Sequence, residues 1–140
     1  MEQPKSLNKI SPTLSIFKTR LKSKDKKNIL FFYGQRWLSV HHARIRMGCS
    51  MLNSHLSKFL HVKDSPSCAC GCKLESPQHF FLRCPLYADF RTKLTTTVNE
   101  LSDCNINVLL FGNENLSLEE NKIIFAAVHE YIIVTGRFSM

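Results

Sequence analysis

The run Cys68-Ala-Cys-Gly-Cys-Lys-Leu-Glu-Ser-Pro-Gln-His-Phe-Phe-Leu-Arg-Cys84 holds four of the chain's six cysteines and one of its six histidines. Read as C-x-C-x8-H-x4-C, it offers Cys68, Cys70, His79 and Cys84. Three thiolates and one imidazole in tetrahedral array are the donor set of a structural zinc site. Cys72 is the alternative to Cys70 as second ligand, which would make the pattern C-x3-C-x6-H-x4-C. Gly71 falls where a tight turn must aim two sulfurs at one centre and a side chain would obstruct it. Ser76-Pro77 reads as an N-cap followed by a first helical residue, so His79 is expected in the opening turn of a short helix. Cys84 stands just before Pro85, where a helix is disfavoured from continuing. The four ligands are therefore expected from one turn and from the two ends of one short helix, around one structural Zn2+.

Disulfides are the weaker reading of the same cysteines. Cys70 lies too close along the chain to Cys68 and Cys72 for an unstrained bridge. The first residues are basic and lack the apolar core of a secretory signal. No run reaches the roughly eighteen apolar residues of a membrane span. The expected setting is a reducing intracellular compartment, nucleus or cytoplasm, without membrane contact. Cys49 and Cys104 stand apart from the cluster as small apolar residues. A nucleophilic pairing of Cys84 with His79 lacks a third orienting group, and four protein ligands would close the metal's coordination. No catalytic residue is assigned, and no small-molecule substrate is expected.

Outward from the cluster, the apolar residues follow helical spacing. Leu52, Leu56, Phe59 and Leu60 precede it, and Leu86, Phe90, Leu94, Val98 and Leu101 follow it, each set at intervals of three to four residues. Gln35 to Met47 is expected to be a helix ended by Gly48, with Tyr33 and Trp37 read first as core aromatics and second as stacking platforms for single strands. Val108 to Phe111 is a short apolar segment stopped by Gly112. Ser117-Leu-Glu-Glu120 is a capping box opening a last helix that turns Ile123, Ile124, Ala127, Val128, Tyr131 and Ile132 inward, with Gly136 closing it. Ile29 to Tyr33 reads as a strand or buried extended arm. The fold class is thus mainly α, a small helical domain with a zinc-binding turn or short hairpin. Residues 1–28 are expected to form a disordered or basic linker with a short helix near 13–21. Residues 29–140 form the zinc-stabilised domain, with the metal turn at 66–85. At 140 residues, with ten phenylalanines, the chain suits one modest core.

Charge is unevenly placed. Residues 1–46 carry eleven Lys and Arg against Glu2 and Asp25, a net of +9 within a total of +8, so the remainder is slightly acidic. A cationic front half favours an anionic partner. Within it, Arg36, His41, His42, Arg44 and Arg46 form the candidate nucleic-acid-binding set. Guanidinium groups give bidentate contacts to phosphate, and imidazoles stack on bases or donate hydrogen bonds.

Several short pieces in one order resemble a known family. They are Phe17-Lys-x-x-Leu21, Tyr33-Gly-x-Arg36, His41-His-Ala-Arg-Ile-Arg-Met-Gly48 and Leu52-Asn53. Then come Cys68-x-Cys-Gly71, Glu75-Ser76, His79-Phe-Phe81, Cys84-Pro-Leu-Tyr87 and Arg91, and finally Leu110-Phe-Gly112, Glu120-Asn121 and Arg137-Phe138. From about residue 13 onward the chain resembles the C-terminal zinc-binding region of non-LTR (LINE-type) retrotransposon reverse transcriptases. The resemblance implies a module that follows the polymerase part of a longer protein and helps hold template RNA or target DNA. It places the metal roles on Cys68, Cys70, His79 and Cys84, and Cys72 is a departure from the usual pattern. The Y-x-D-D aspartates of the polymerase are absent from the sequence. The expected function is binding of RNA or single-stranded DNA. The alternatives are a protein-interaction module docking on a polymerase body and an inactive fragment of a mobile element.

Overall fold

The computed structural model describes residues 29–58, 61 and 63–139. The expected helix near 13–21 and the basic linker lie outside them. The chain divides into two units, one ending at Phe32 and the other spanning Tyr33–Met140. In the first, residues 29–31 are helical and Phe32 is in a turn. The expected strand at 29–33 is therefore wrong. A five-residue apolar run has no periodicity that separates the two states.

Among its described residues the second unit has five α-helices: α1 (Arg36–Met47), α2 (Asn53–Lys58), α3 (Ala88–Asn99), α4 (Ile106–Phe111) and α5 (Leu118–Thr135). Between α2 and α3 lie a π-helical turn, His79–Arg83, and a single 3-10 turn, Pro85–Tyr87. Among the described residues there is no strand. The mainly helical class stands, and of the expected turn or short hairpin the turn is the form present, within an irregular loop.

Local chemistry sets the helix ends. α1 stops at Gly48, whose φ of 83° is left-handed and whose N–H returns to Arg44 and Ile45, an arrangement glycine adopts without strain. Asn105 caps α4 by accepting from Val108 N–H at 3.0 Å. At α5 both halves of the capping box form: Ser117 Oγ accepts from Glu120 N–H at 3.1 Å, and Glu120 Oε1 accepts from Ser117 N–H at 2.9 Å. Gly136 closes α5 at a φ of 65°.

Packing follows from the buried stripes. α3 buries Leu94 and Val98 against α5, whose inward residues are Ile124, Phe125, Val128, Tyr131 and Ile132. Three expected apolar positions are displaced. Ile123 is 48% exposed while Phe125 takes its place inside. Leu86 and Phe90 are also exposed, because Pro85 imposes a 3-10 turn before α3 and changes the phase of the stripe. α1 turns Leu38, His42 and Ile45 toward α4 and α5, residues spaced i, i+4, i+7. No described helix is long and apolar enough to cross a membrane.

Candidate metal centre

The loop before the π turn is held by backbone bonds rather than by a ladder. Glu75 N–H donates to Pro66 O at 2.7 Å, Cys68 N–H to Cys72 O at 2.8 Å, and Gly71 N–H to Cys68 O at 3.0 Å. Gly71 has a φ of 103°, a region a Cβ would strain. Ser76 then starts the second ligand segment: His79 N–H donates to Ser76 Oγ at 3.1 Å and Phe80 N–H to Ser76 O at 2.9 Å.

The turn from His79 to Cys84 explains how a five-residue spacing serves one site. At 3.6 residues per turn, positions five apart point about 140° away from each other. Here the N–H of Cys84 donates to His79 O at 2.8 Å, an i to i+5 bond of π type. The wider turn brings the two side chains onto one side.

The result is a cluster in which one ligand atom from each of Cys68, Cys70, His79 and Cys84 lies within 4.8 Å of the others. Cys68 Sγ and Cys84 Sγ are 3.7 Å apart, and Cys70 Sγ and His79 Nε2 are 3.4 Å apart. Tetrahedral geometry with Zn–S near 2.3 Å and Zn–N near 2.0–2.1 Å gives about 3.8 Å and about 3.6 Å for these pairs. A disulfide needs a sulfur separation of about 2.05 Å, and all six cysteines are free. Cys68, His79 and Cys84 are buried and Cys70 half-buried. Cys72 is exposed, its Sγ 3.7 Å from Leu74 O, so it lies outside the cluster. Cys49 and Cys104 are half-buried elsewhere.

The donor set fits a thiophilic divalent cation. Burial pushes the Cys68 thiol up to about 12 and raises Cys84 as well, while a hydrogen bond from the backbone at Cys72 lowers Cys70. Two buried thiols against a third resist ionisation by themselves. A divalent charge at their centre reverses that preference.

Surrounding groups fix the π turn by taking carbonyls at its C-terminal end that have no intrahelical partner. Tyr131 OH donates to Phe80 O at 2.5 Å, Arg91 Nε to Phe81 O at 3.1 Å, and Arg91 Nη2 to Cys84 O. Glu75, only 3% exposed, accepts from Asn53 N–H at 2.7 Å and meets Arg137 through two bonds of 2.7 and 2.8 Å. Arg137 also donates to Met51 O at 2.9 Å. Reading the sequence for chemistry gave Glu75, Arg91, Tyr131 and Arg137 no such roles, since a lone charge in an irregular loop has no periodic signal.

The five candidate nucleic-acid residues do not form one surface. His42 is 1% exposed, so its proposed contact with nucleic acid is corrected to a core role. Its Nε2–H donates to Leu109 O at 2.7 Å, which leaves Nδ1 to accept from His129 Nε2–H at 3.3 Å. Burial and the neighbouring Arg46 guanidinium hold His42 well below its usual range, and His129 down to about 4. Arg46 turns inward as well: its Nε donates to Leu110 O at 2.6 Å, and its guanidinium lies 5.7 Å from the Phe125 ring centre. Arg36 and Arg44 are exposed, and His41 is half-buried. Trp37, expected mainly in the core, is 41% exposed. One helix thus splits the basic cluster, because its residues alternate between the packed stripe and solvent.

No family model, curated protein or solved structure matches the chain.

Proposed function

We propose that the chain is a zinc-stapled module that binds RNA or single-stranded DNA. The observation that carries this reading is a four-ligand Cys3His cluster of structural type in a chain whose first 46 residues carry a net +9. Four protein ligands leave a tetrahedral ion no open position for substrate, so the metal holds structure and does not catalyse. Cys68, Cys70, His79 and Cys84 would hold it, with Cys84 and His79 set by the π turn and Cys68 and Cys70 by the loop. Arg36 and Arg44, exposed on α1, supply phosphate contacts, joined by the lysines of the front segment. The resemblance to the zinc-binding region of LINE-type reverse transcriptases supports a role in holding template or target beside a polymerase.

Native mass spectrometry of the purified chain is expected to show one zinc ion per molecule. Binding to RNA is expected to weaken steeply with salt, since each phosphate contact releases counterions. A metal-free folded chain, or an affinity indifferent to salt, contradicts the reading. A second reading, docking on another protein, is favoured by one observation. Phe90, Ile123 and Val134 line an open apolar groove of about 450 Å³ between α3 and α5. A chain that binds RNA tightly and stays monomeric at high concentration speaks against it.

A further inference from the structure

Trp37 is the chain's single tryptophan, and it stands 41% exposed on α1. The indole offers a large flat apolar face together with one polar N–H edge. This ring is also held in place. Its Nε1–H donates to Gln35 Oε1 at 3.1 Å. It packs at 87° to the His41 ring, with centres 5.5 Å apart, and His41 stacks on the buried Phe138 at 5.2 Å and 25°. An aromatic group already fixed by such neighbours gives up little freedom when a second ring settles on it.

The surroundings have the charge a polyanion requires. Trp37, His41 and Arg44 are spaced i, i+4, i+7 and share one face of α1, with Arg36 beside Trp37. Arg36 and Arg44 are both exposed, about 12 Å apart along the axis. α1 contains no acidic residue to compete for them.

We propose that Trp37 is a stacking platform for an unpaired base, with Arg36 and Arg44 taking the phosphates on either side of it. The inference rests on the reading of the chain as a nucleic-acid-binding module and adds its substrate class. Inside a duplex both faces of each base are covered, so a protein ring that does not intercalate finds a free face on unpaired bases. The site therefore prefers single strands and is tolerant of sequence, since every base has a π face.

The single tryptophan makes the test direct. The full zinc-loaded chain is titrated with an oligo(U) of roughly twelve nucleotides and, separately, with an RNA duplex of the same length. Oligo(U) is expected to quench Trp37 emission and the duplex to leave it unchanged. Trp37→Ala should weaken oligo(U) binding by about 5- to 150-fold and duplex binding by less than about twofold. Trp37→Phe, which keeps a stacking face, should recover most of the loss. Thermal melting and zinc content of each variant establish that the fold is kept. If oligo(U) binds with unaltered emission and Trp37→Ala keeps full affinity, while Arg44→Ala still weakens binding, stacking is overturned and the broader reading stands. Equal losses on both probes in Trp37→Ala also overturn it. If only the duplex binds, stacking is overturned; if neither probe binds, both readings are overturned.

Discussion

Glu75 and Arg137 show what one buried charge demands of its neighbours. The carboxylate is nearly sealed from solvent, and a lone buried ion is strongly disfavoured. Arg137 meets both its oxygens, and the carboxylate in turn holds the Arg137 guanidinium above its usual range. Glu75→Ala is therefore expected to cost about 3–5 kcal/mol, read as a lower urea midpoint at fixed zinc concentration. A cost below about 0.5 kcal/mol, the size of an exposed pair, would mean that the contact contributes nothing beyond surface electrostatics. The His42–His129 pair carries the opposite arithmetic, because burial favours its neutral form. Between pH 6.5 and about 4 the unfolded chain takes up protons that the folded His129 refuses. Stability is full above this window and declines as pH falls through it, by on the order of 3 kcal/mol for His129. His129→Gln should flatten that decline in acid unfolding curves. An equally steep curve in the variant would place the acid sensitivity elsewhere. Gly34 is tied to the same pair: a Cβ there would stand 2.9 Å from His129 Nδ1 with φ at +89°. Only glycine fits that approach.

At the scale of single elements, the segment after the metal loop depends on Ser76, whose hydroxyl receives the His79 N–H. Ser76→Ala is expected to cost about 1 kcal/mol and to weaken zinc retention in a competition titration with a chelator. Retention equal to the parent chain would show that the loop alone positions His79. Elements with caps in their sequence were legible: Gln35 to Gly48, Ser117 to Gly136, and the Ser76-Pro77 start all have side-chain or glycine signals at defined offsets. The cluster of Cys68, Cys70, His79 and Cys84 was legible because ligand chemistry restricts residue type as strongly as spacing. The π turn was not, since its i to i+5 bond leaves no compositional mark and depends on Arg91 and Tyr131 arriving from α3 and α5. Periodicity also misjudged which face of α1 was wet. His42 and Arg46 look as polar in sequence as Arg36 and Arg44, and only packing against α4 and α5 separates them. Ile123 and Phe125 exchanged places for a similar reason, because α5 is apolar around much of its circumference and pattern alone does not choose its inner side.

Across the whole second unit, the metal loop and α1 are joined by a file of rings that belongs to no single element. Trp37 packs on His41, His41 on Phe138, and Phe138 on Phe80 at 5.4 Å, and Phe80 is bonded in sequence to His79. Arg137, next to Phe138, is meanwhile clamped to Glu75 at the other side of the loop. Position therefore passes from the cluster to the exposed face of α1 through contacts that need the loop in place. The loop itself has little regular structure to hold it. A structural zinc site contributes on the order of 10 kcal/mol, comparable to the entire stability of a domain this size, so its removal should outweigh the remaining contacts around 66–90. Excess chelator is then expected to abolish cooperative melting, reduce the helical signal and lower the fluorescence anisotropy of Trp37. Added zinc should restore all three together. Local loosening of the loop alone would free Phe80 yet leave α3 packed on α5, and would appear as lost anisotropy with melting preserved. Unchanged anisotropy and unchanged melting would separate the four ligands from the stability of the fold, and α1 would then owe its exposed face to helix packing alone.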